Sequence, residues 1–466
     1  MVPTVNSMLT PDQLDILPIT LYEFRIRARE ETILPPFLGT TLRGAFGNAL
    51  KSIVCSVAHG ECHRCLLVER CLYPQLFETT ARVGNGLLPA SDNSRRPFVN
   101  ISPLRKEGQT KSQDYPHGGS GLICRDVPPW APPTRFAPAR GGAPTEGRPY
   151  KSGPHPHGPY SNSSPLQQEE NRRTDKRQDD APRTSVYTQP HREEKSRADK
   201  RPSDAPRPFI FVPPLPRTDT GALRARDDLL RWRVRVNSDQ PVVFGLYLLG
   251  PAIPELPYVI HAINTMAHNG IGAERARFVL DEVAVLHVNG AREVIYTPAD
   301  AFVRTHDQSS TLGALVRARL EELKLAAARD QGRAIRLRFL TPTRLRIKGQ
   351  VVEQPSFAQL IRLLSLRLSM VAQTHGAAPL TYDYRTMLQR AEKVSTSKSN
   401  LNLLALERRS NRQDRKLDID GFTGEIVFTG DGLSEFLPLL LAGEFLHVGS
   451  GTAFGLGRYE VMSEVD

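Results

Sequence analysis

The stretch His447-Val448-Gly449-Ser450-Gly451-Thr452-Ala453-Phe454-Gly455-Leu456-Gly457-Arg458-Tyr459-Glu460-Val461 places four glycines within nine residues, then an arginine, then a strand-like run. Glycine adopts positive φ at little cost and lets a backbone approach another group closely. Successive exposed N–H groups in such a loop form a concave anion site. A plain hairpin connection explains the same glycines equally well. In either reading the segment from Arg458 to Met462 is a strand that closes a sheet, entered from Glu444 to Val448.

Working outward, the rest of that sheet is legible. Ile335, Leu337 and Phe339 alternate with Arg336 and Arg338, and Leu345 and Ile347 with Arg344, Arg346 and Lys348. If these two runs pair around Thr341-Pro342, five cations lie on one sheet face. Pro355 opens a helix whose Phe357, Leu360, Ile361, Leu364, Leu368 and Val371 share a side. A strand at Gly424–Phe428 and a helix at Ser434–Leu441 follow. In the first half, 17–29 alternates with period two: Tyr22, Phe24, Ile26 and Ala28 against Glu23, Arg25, Arg27 and Arg29. Gly39–Val54 is helical, with Leu42, Phe46, Ala49, Leu50 and Ile53 at helical spacing. Further strands are read at 232–236, 242–249 and 276–287, with a helix at 256–268. The resulting order is βαββαβ in each half, so the fold class is α+β: tandem ferredoxin-like (RRM-like) domains. The first runs over 17–104 and resumes over 207–312, the second covers 331–463, and a charged helix at 313–329 connects them.

Between them, 105–206 is rich in Pro, Gly, Ser, His and charge, and carries an imperfect repeat at 173–183 and 197–207. Such composition buries too little apolar surface to offset chain entropy and reads as a disordered insertion. Arg207-Pro208-Phe209-Ile210 echoes Arg96-Pro97-Phe98-Val99, as if the fold pauses at one copy and resumes at the other.

The formal net charge is +11 and the isoelectric point about 9.5. Between Gln331 and Asp420 there are 17 Lys and Arg against 7 Asp and Glu, so the second domain carries the excess. That is the footprint of a polyanion partner. A mean hydropathy of −0.36 and the lack of a long apolar run exclude a helical membrane protein. The N-terminus lacks the pattern of a secretion signal, and the cysteines do not form a secreted disulfide framework, so a cytoplasmic location is expected. There is no P-loop, no Ser-His-Asp constellation and no carboxylate pair at metal spacing. Tyr382-Asp383-Tyr384 is a candidate stacking platform for bases, or simply part of a packed loop.

Four of the five cysteines, Cys55, Cys62, Cys65 and Cys71, fall in a knuckle at 55–71. Four thiolates in one short loop suit a tetrahedral structural Zn²⁺. An iron–sulfur cluster and unliganded thiols remain alternatives. Four Cys ligands leave no open position, so no catalytic metal is expected.

Two ferredoxin-like halves, a basic face and a terminal Gly-rich loop resemble the RAMP superfamily of CRISPR systems, and more closely its repeat-processing endoribonucleases. The residues that carry this are Arg338-Phe339-Leu340-Thr341-Pro342-Thr343-Arg344, Arg408-Arg409-Ser410-Asn411-Arg412-Gln413 followed by Gly421-Phe422-Thr423-Gly424, and His447 through Tyr459. Leu42-Arg43-Gly44-Ala45-Phe46-Gly47, Pro257-Tyr258 and Gly270-Ile271-Gly272 also match. The resemblance implies metal-independent cleavage of CRISPR repeat RNA. The 2′-hydroxyl attacks the adjacent phosphate to leave a 2′,3′-cyclic phosphate and a 5′-hydroxyl, with the guide RNA retained. A non-catalytic RNA-holding subunit of an effector complex, in contact with other CRISPR subunits, is the alternative; no membrane is involved. Such chemistry needs a base, an acid and cations for the phosphorane. The family often places a catalytic His in or after the first helix, and Gly39–Val54 has none. The candidates are Arg43, Lys51, His59 and His447, with His63 beside His59. The RNA-binding candidates are Gly449, Gly451, Gly455, Gly457, Arg458, Arg336, Arg338, Arg344, Arg346, Arg408, Arg409 and Arg412.

Overall fold

The computed structural model describes residues 8–35, 37–57, 62, 65–77, 205–215, 234–238, 240–300, 302–327, 334–410 and 415–462. The expected insertion (all but Ala205 and Pro206), the first copy of the repeated strand at 96–104, and His59, His63 and Arg412 lie outside these residues.

The first half contains β1 (Ile19–Ala28), β2 (Thr32–Leu34), α1 (Gly39–Val54), α2 (Leu72–Phe77), β3 (Phe209–Val212), β4 (Val234–Val236), β5 (Pro241–Leu249), α3 (Leu256–Asn269), β6 (Phe278–Leu286) and β7 (Arg292–Tyr296). Its sheet has the order β3-β5-β1-β6-β7, and every neighbouring pair is antiparallel. β2 and β4 form a separate small ribbon.

The even positions of β1 (Tyr22, Phe24 and Ile26) pack with α1 and α3 in one core cluster. That cluster includes Phe46, Phe209, Phe211, Phe244 and Ile260. The aromatic rings interlock: Phe46 meets Phe209 and Phe211 edge-on at 5.7 Å each. Burying each such ring stabilises by roughly 1.5–3 kcal/mol. The opposite face is buried too. Ile19, Leu21, Ile210, Val212, Tyr247 and Leu249 belong to a second cluster that continues into the other half of the chain. This explains the unbroken apolar run Phe209-Ile210-Phe211-Val212, buried at all four positions. Glu23, on the same face of β1, is enclosed as well. Glu23 is 1 % exposed, and its carboxylate accepts from Arg292 Nε at 2.8 Å, because β7 lies beyond β6 on that side.

The second half contains α4 (Leu312–Ala327), β8 (Ala334–Thr343), β9 (Leu345–Ile347), β10 (Gln350–Val352), α5 (Phe357–His375), α6 (Tyr384–Ala391), β11 (Ser395–Ser410), β12 (Arg415–Thr429), α7 (Leu437–Leu446) and β13 (Tyr459–Met462). Its sheet order is β11-β12-β8-β13, again antiparallel throughout. α5 starts with a capping box between Ser356 and Gln359, so Ser356 rather than Pro355 sets its first turn. Leu337, Phe339, Leu360, Leu364, Phe422, Ile426 and Leu440 fill the core beneath this sheet.

The architecture is therefore mixed α/β with antiparallel sheets. The expected hairpin around Thr341-Pro342 does not form. β8 runs on to Thr343, and β9 pairs with β10 instead. The pairing of β12 with β8 skips from Thr343 to Phe339, so residues 340–342 bulge, and a bulge accommodates a proline that cannot donate to the ladder. Among the described residues no helix is long and apolar enough to cross a membrane.

Candidate nucleic-acid interface

α7 ends at Leu446, and His447 caps it with φ +57°. The chain then doubles back onto β8. Val448 N–H donates to Gly457 O at 2.9 Å, Ser450 N–H to Arg344 O at 3.0 Å, and Gly457 N–H to Pro342 O at 3.1 Å. The buried Thr341 hydroxyl donates to Gly455 O and accepts from Arg458 N–H, both at 2.9 Å. The 340–342 bulge is thus what the loop is fastened to.

All four loop glycines have positive φ. A Cβ at Gly457 would sit 1.8 Å from Val448 O, and one at Gly455 would sit 2.5 Å from Pro213 Cδ. The expectation that every glycine offers its amide to a phosphate is corrected at these two positions. Both are buried, and their N–H groups donate within the protein, Gly455 to Thr452 O. Gly449 is exposed and Gly451 half-buried, so the outer part of the loop is open to solvent. Arg458 is also corrected from the surface to the interior. It is 6 % exposed, with a guanidinium nitrogen 3.9 Å from Glu460.

α1 brings its N-terminal half against this loop. Arg43 is sandwiched, its guanidinium carbon 5.0 Å from the ring centroids of both Phe77 and Phe454. Such stacking holds a cation without neutralising it. Lys51 lies two turns further on, with Nζ 5.5 Å from the Tyr73 ring centroid. It lines a cavity with Cys55, Cys62, Cys65 and Cys71, so Arg43 and Lys51 serve different places.

His447, a sequence candidate for proton transfer, is 1 % exposed. Burial holds its imidazole well below the usual histidine range, and the Arg458 and Arg367 charges add to that. It lines a partly open cleft of about 310 Å³ together with Tyr247, Arg319, Glu444 and Arg458. Burial pushes the Glu444 carboxyl up to about 7, against the pull of Arg319. The imidazole is therefore neutral and shielded from solvent.

On the outer face of the second sheet, Arg338 Nε donates to Glu425 at 2.7 Å, and Arg336 lies 3.9 Å from the same carboxylate. Arg344 pairs with Asp420 at 2.5 Å. Arg346 is exposed on β9. The expected single face of five cations is therefore three arginines paired with two carboxylates of β12, with Arg346 and Lys348 on the separate β9–β10 ribbon. Arg408 and Arg409 stand opposite Leu417 and Lys416 in the β11–β12 ladder. Sequence reasoning missed Phe77 and Phe454 as the clamp on Arg43, and Thr341 as the anchor of the loop. A lone aromatic in a Gly-rich loop was the available signal for Phe454.

Comparison with known proteins gives two family matches. Residues 17–118 and 167–308 match the family described as AF_1859_N, N-terminal domain. Residues 337–459 match CRISPR-associated endoribonuclease Cas6. A relative from Archaeoglobus fulgidus, described as an uncharacterized protein, is 39 % identical over 71 residues, covering 15 % of this chain and 23 % of the relative. The chain thus spans under a quarter of that relative's length. Thermus thermophilus Cas6 is 17 % identical, over 55 % of this chain and 79 % of that one, with a TM-score of 0.30. A structure described as CRISPR associated protein Cas6 is 8 % identical, over 96 % and 100 % of the two chains, with a TM-score of 0.32.

Proposed function

The chain belongs to the AF_1859_N family through its first half and is of the CRISPR-associated Cas6 type through its second, and from this premise we propose that it cuts precursor CRISPR RNA within the repeats. The observation that carries the reading is the junction where Arg43 of α1 is held between Phe77 and Phe454 of the Gly-rich loop. The strand orders β3-β5-β1-β6 and β11-β12-β8-β13 support reading both halves as ferredoxin-like units. The open face of the second and the outer loop at Gly449 and Gly451 receive the RNA backbone.

In this reading the RNA supplies its own nucleophile. The 2′-oxygen bonds to the neighbouring phosphorus as the bond to the 5′-oxygen breaks. The proton leaves the 2′-hydroxyl, and one is delivered to the 5′-oxygen. The products are a 2′,3′-cyclic phosphate and a 5′-hydroxyl, and no metal takes part. Arg43, fixed by two rings, stabilises the charge that develops on the phosphorane. The guide RNA stays bound, available to other CRISPR subunits.

A second reading is favoured by two facts: Gly39–Val54 contains no histidine, and His447 is buried. In it, the protein holds CRISPR RNA without cutting it. Incubation with repeat RNA in EDTA separates the two. Cleavage at one position, abolished by a 2′-deoxyribose 5′ of the cut, supports the nuclease. Tight binding of intact RNA supports the holder. In the first case Arg43→Ala should lower kcat by roughly 10²–10³, the cost of removing one preorganised donor, with affinity changed only a few-fold.

A further inference from the structure

The loop between α1 and α2 is the part of the molecule that the RNA reading leaves unexplained. Cys55 caps the C-terminus of α1, and Cys71 directly precedes α2. Between them, Cys65 N–H donates to Cys62 O at 3.1 Å, and Cys71 N–H to Leu67 O at 2.9 Å. The first bond closes a tight turn that puts two cysteines side by side. All four cysteines line one cavity of about 20 Å³, room for about one water-sized particle. Cys62 and Cys71 pack against the first core cluster, whereas Leu66 is fully exposed and Val57 and Leu67 about half exposed. The cysteines thus share one cavity, while Leu66 and Leu67 of the same loop face solvent, so hydrophobic burial holds little of this segment.

We propose that Cys55, Cys62, Cys65 and Cys71 bind one structural Zn²⁺ that clamps the end of α1 to the start of α2. Lys51 lines the same cavity. Four thiolates around a divalent zinc leave a net charge of −2, and the Lys51 ammonium offsets part of it. Among the described residues, no three Cys, His, Asp or Glu side chains already stand as a set of metal ligands. The Cys55 thiol donates instead to Val57 O at 3.0 Å. Closing the site thus requires the four thiols to lose their protons and turn inward to the Zn–S distance of about 2.3 Å. The backbone turn and the cavity are in place for that. The clamp acts on the far end of the helix whose near end carries Arg43, so zinc sets where that helix ends without touching RNA.

Full-length protein, expressed with zinc supplied, should contain about one zinc per chain, released stoichiometrically when a mercurial thiol reagent titrates it. Replacement by cobalt(II) should give the sulfur-to-cobalt charge-transfer and d–d bands of tetrahedral thiolate coordination. The Cys62→Ser/Cys65→Ser pair should lose the metal, and Cys124→Ser should keep it. Lys51→Gln should weaken zinc about tenfold in competition with a chelator, the usual size of an outer-shell effect. Protein that is folded, zinc-free and without the cobalt bands would overturn the site, as would iron with sulfide. The cobalt spectrum is read on the unmutated protein, so the proposal stays testable if the serine variants fail to fold. Unchanged zinc affinity in Lys51→Gln would remove Lys51 from it. None of these readouts depends on RNA cleavage.

Discussion

Four strands of the first sheet, β3-β5-β1-β6, follow the same relative chain order as the four of the second, and β7 is added at its edge; the two sheets differ in what covers them. The first is buried on both faces, by α1 and α3 on one side and by the second half of the chain on the other. The second packs its core on one face; its other face carries Arg336 and Arg338 with Glu425 between them, partly exposed. Strand order therefore does not tell which sheet meets a ligand. The sheet that has lost its free face acts as a base for the other, and the half with the charge excess keeps the open surface.

The largest expected effect tests whether the first sheet is closed on both sides. Ile210 lies on its far face with no exposure, and Ile210→Ala should cost about 2–5 kcal/mol in chemical denaturation. A loss under about 0.5 kcal/mol, typical of surface positions, would break the comparison.

The next prediction concerns the seam between the halves. His375, the last residue of α5, donates from Nε2 to Pro206 O at 2.6 Å, just upstream of β3. Burial lowers its pKa from 6.5 to about 4. The folded state thus binds the proton less readily than the unfolded chain does. The stabilisation from neutral His375 is complete above about pH 6.5 and is lost as the pH falls towards 4. It amounts to up to about 3 kcal/mol. Glu444, raised to about 7 by burial, works the other way across much of this range. The contribution of His375 is therefore read as the difference between the wild type and His375→Gln, and parallel pH–stability curves would refute it.

Gly455 touches the first sheet from the second half. With φ +87° and Pro213 and the Phe211 carbonyl where a Cβ would go, Gly455→Val should cost at least about 1–3 kcal/mol of backbone strain. The fraction that remains folded should bind RNA normally; normal thermal stability with lost binding would instead assign this glycine to the ligand. The smallest effect on stability belongs to the open face. Arg338→Ala should change stability by less than about 1 kcal/mol. It should also make the log–log salt dependence of RNA affinity shallower by about 0.7 if Arg338 meets one phosphate. An unchanged slope would close that face as an RNA surface.

What the sequence made legible follows from burial. α1 could be bounded at Gly39 and Val54 because Leu42, Phe46, Ala49 and Leu50 all turn to one core. β11 escaped notice because Ser395–Asn400 is exposed almost throughout. A strand at the edge of a sheet, wet on both sides, imposes no period-two pattern. Thr341-Pro342 looked like a turn because the local chemistry of Pro favours one. The hydroxyl of Thr341, buried by contacts more than a hundred residues away, decides otherwise. Glycine content singled out the 449–457 loop. It could not say that two of the four glycines serve contacts inside the protein, because their close neighbours, Pro213 and Val448, are fixed only by the tertiary fold. Likewise, the partners of Arg336, Arg338 and Arg344 sit on β12, whose register no local pattern reveals.

One contact described above bears on the gene more than on the chemistry. Phe77 of α2 and Phe209 of β3, far apart in sequence, pack with ring centroids 5.1 Å apart and planes tilted at 48°. The two ends of the intervening stretch are thus neighbours, pinned by the same aromatic core that holds α1. A chain whose two ends are already joined pays only a slowly growing entropy for whatever length lies between them. Codons added or removed there are expected to leave both sheets in place. Replacing 108–204 by a short flexible linker should leave the folded halves intact, and the same position is where a reporter domain could be spliced into this protein.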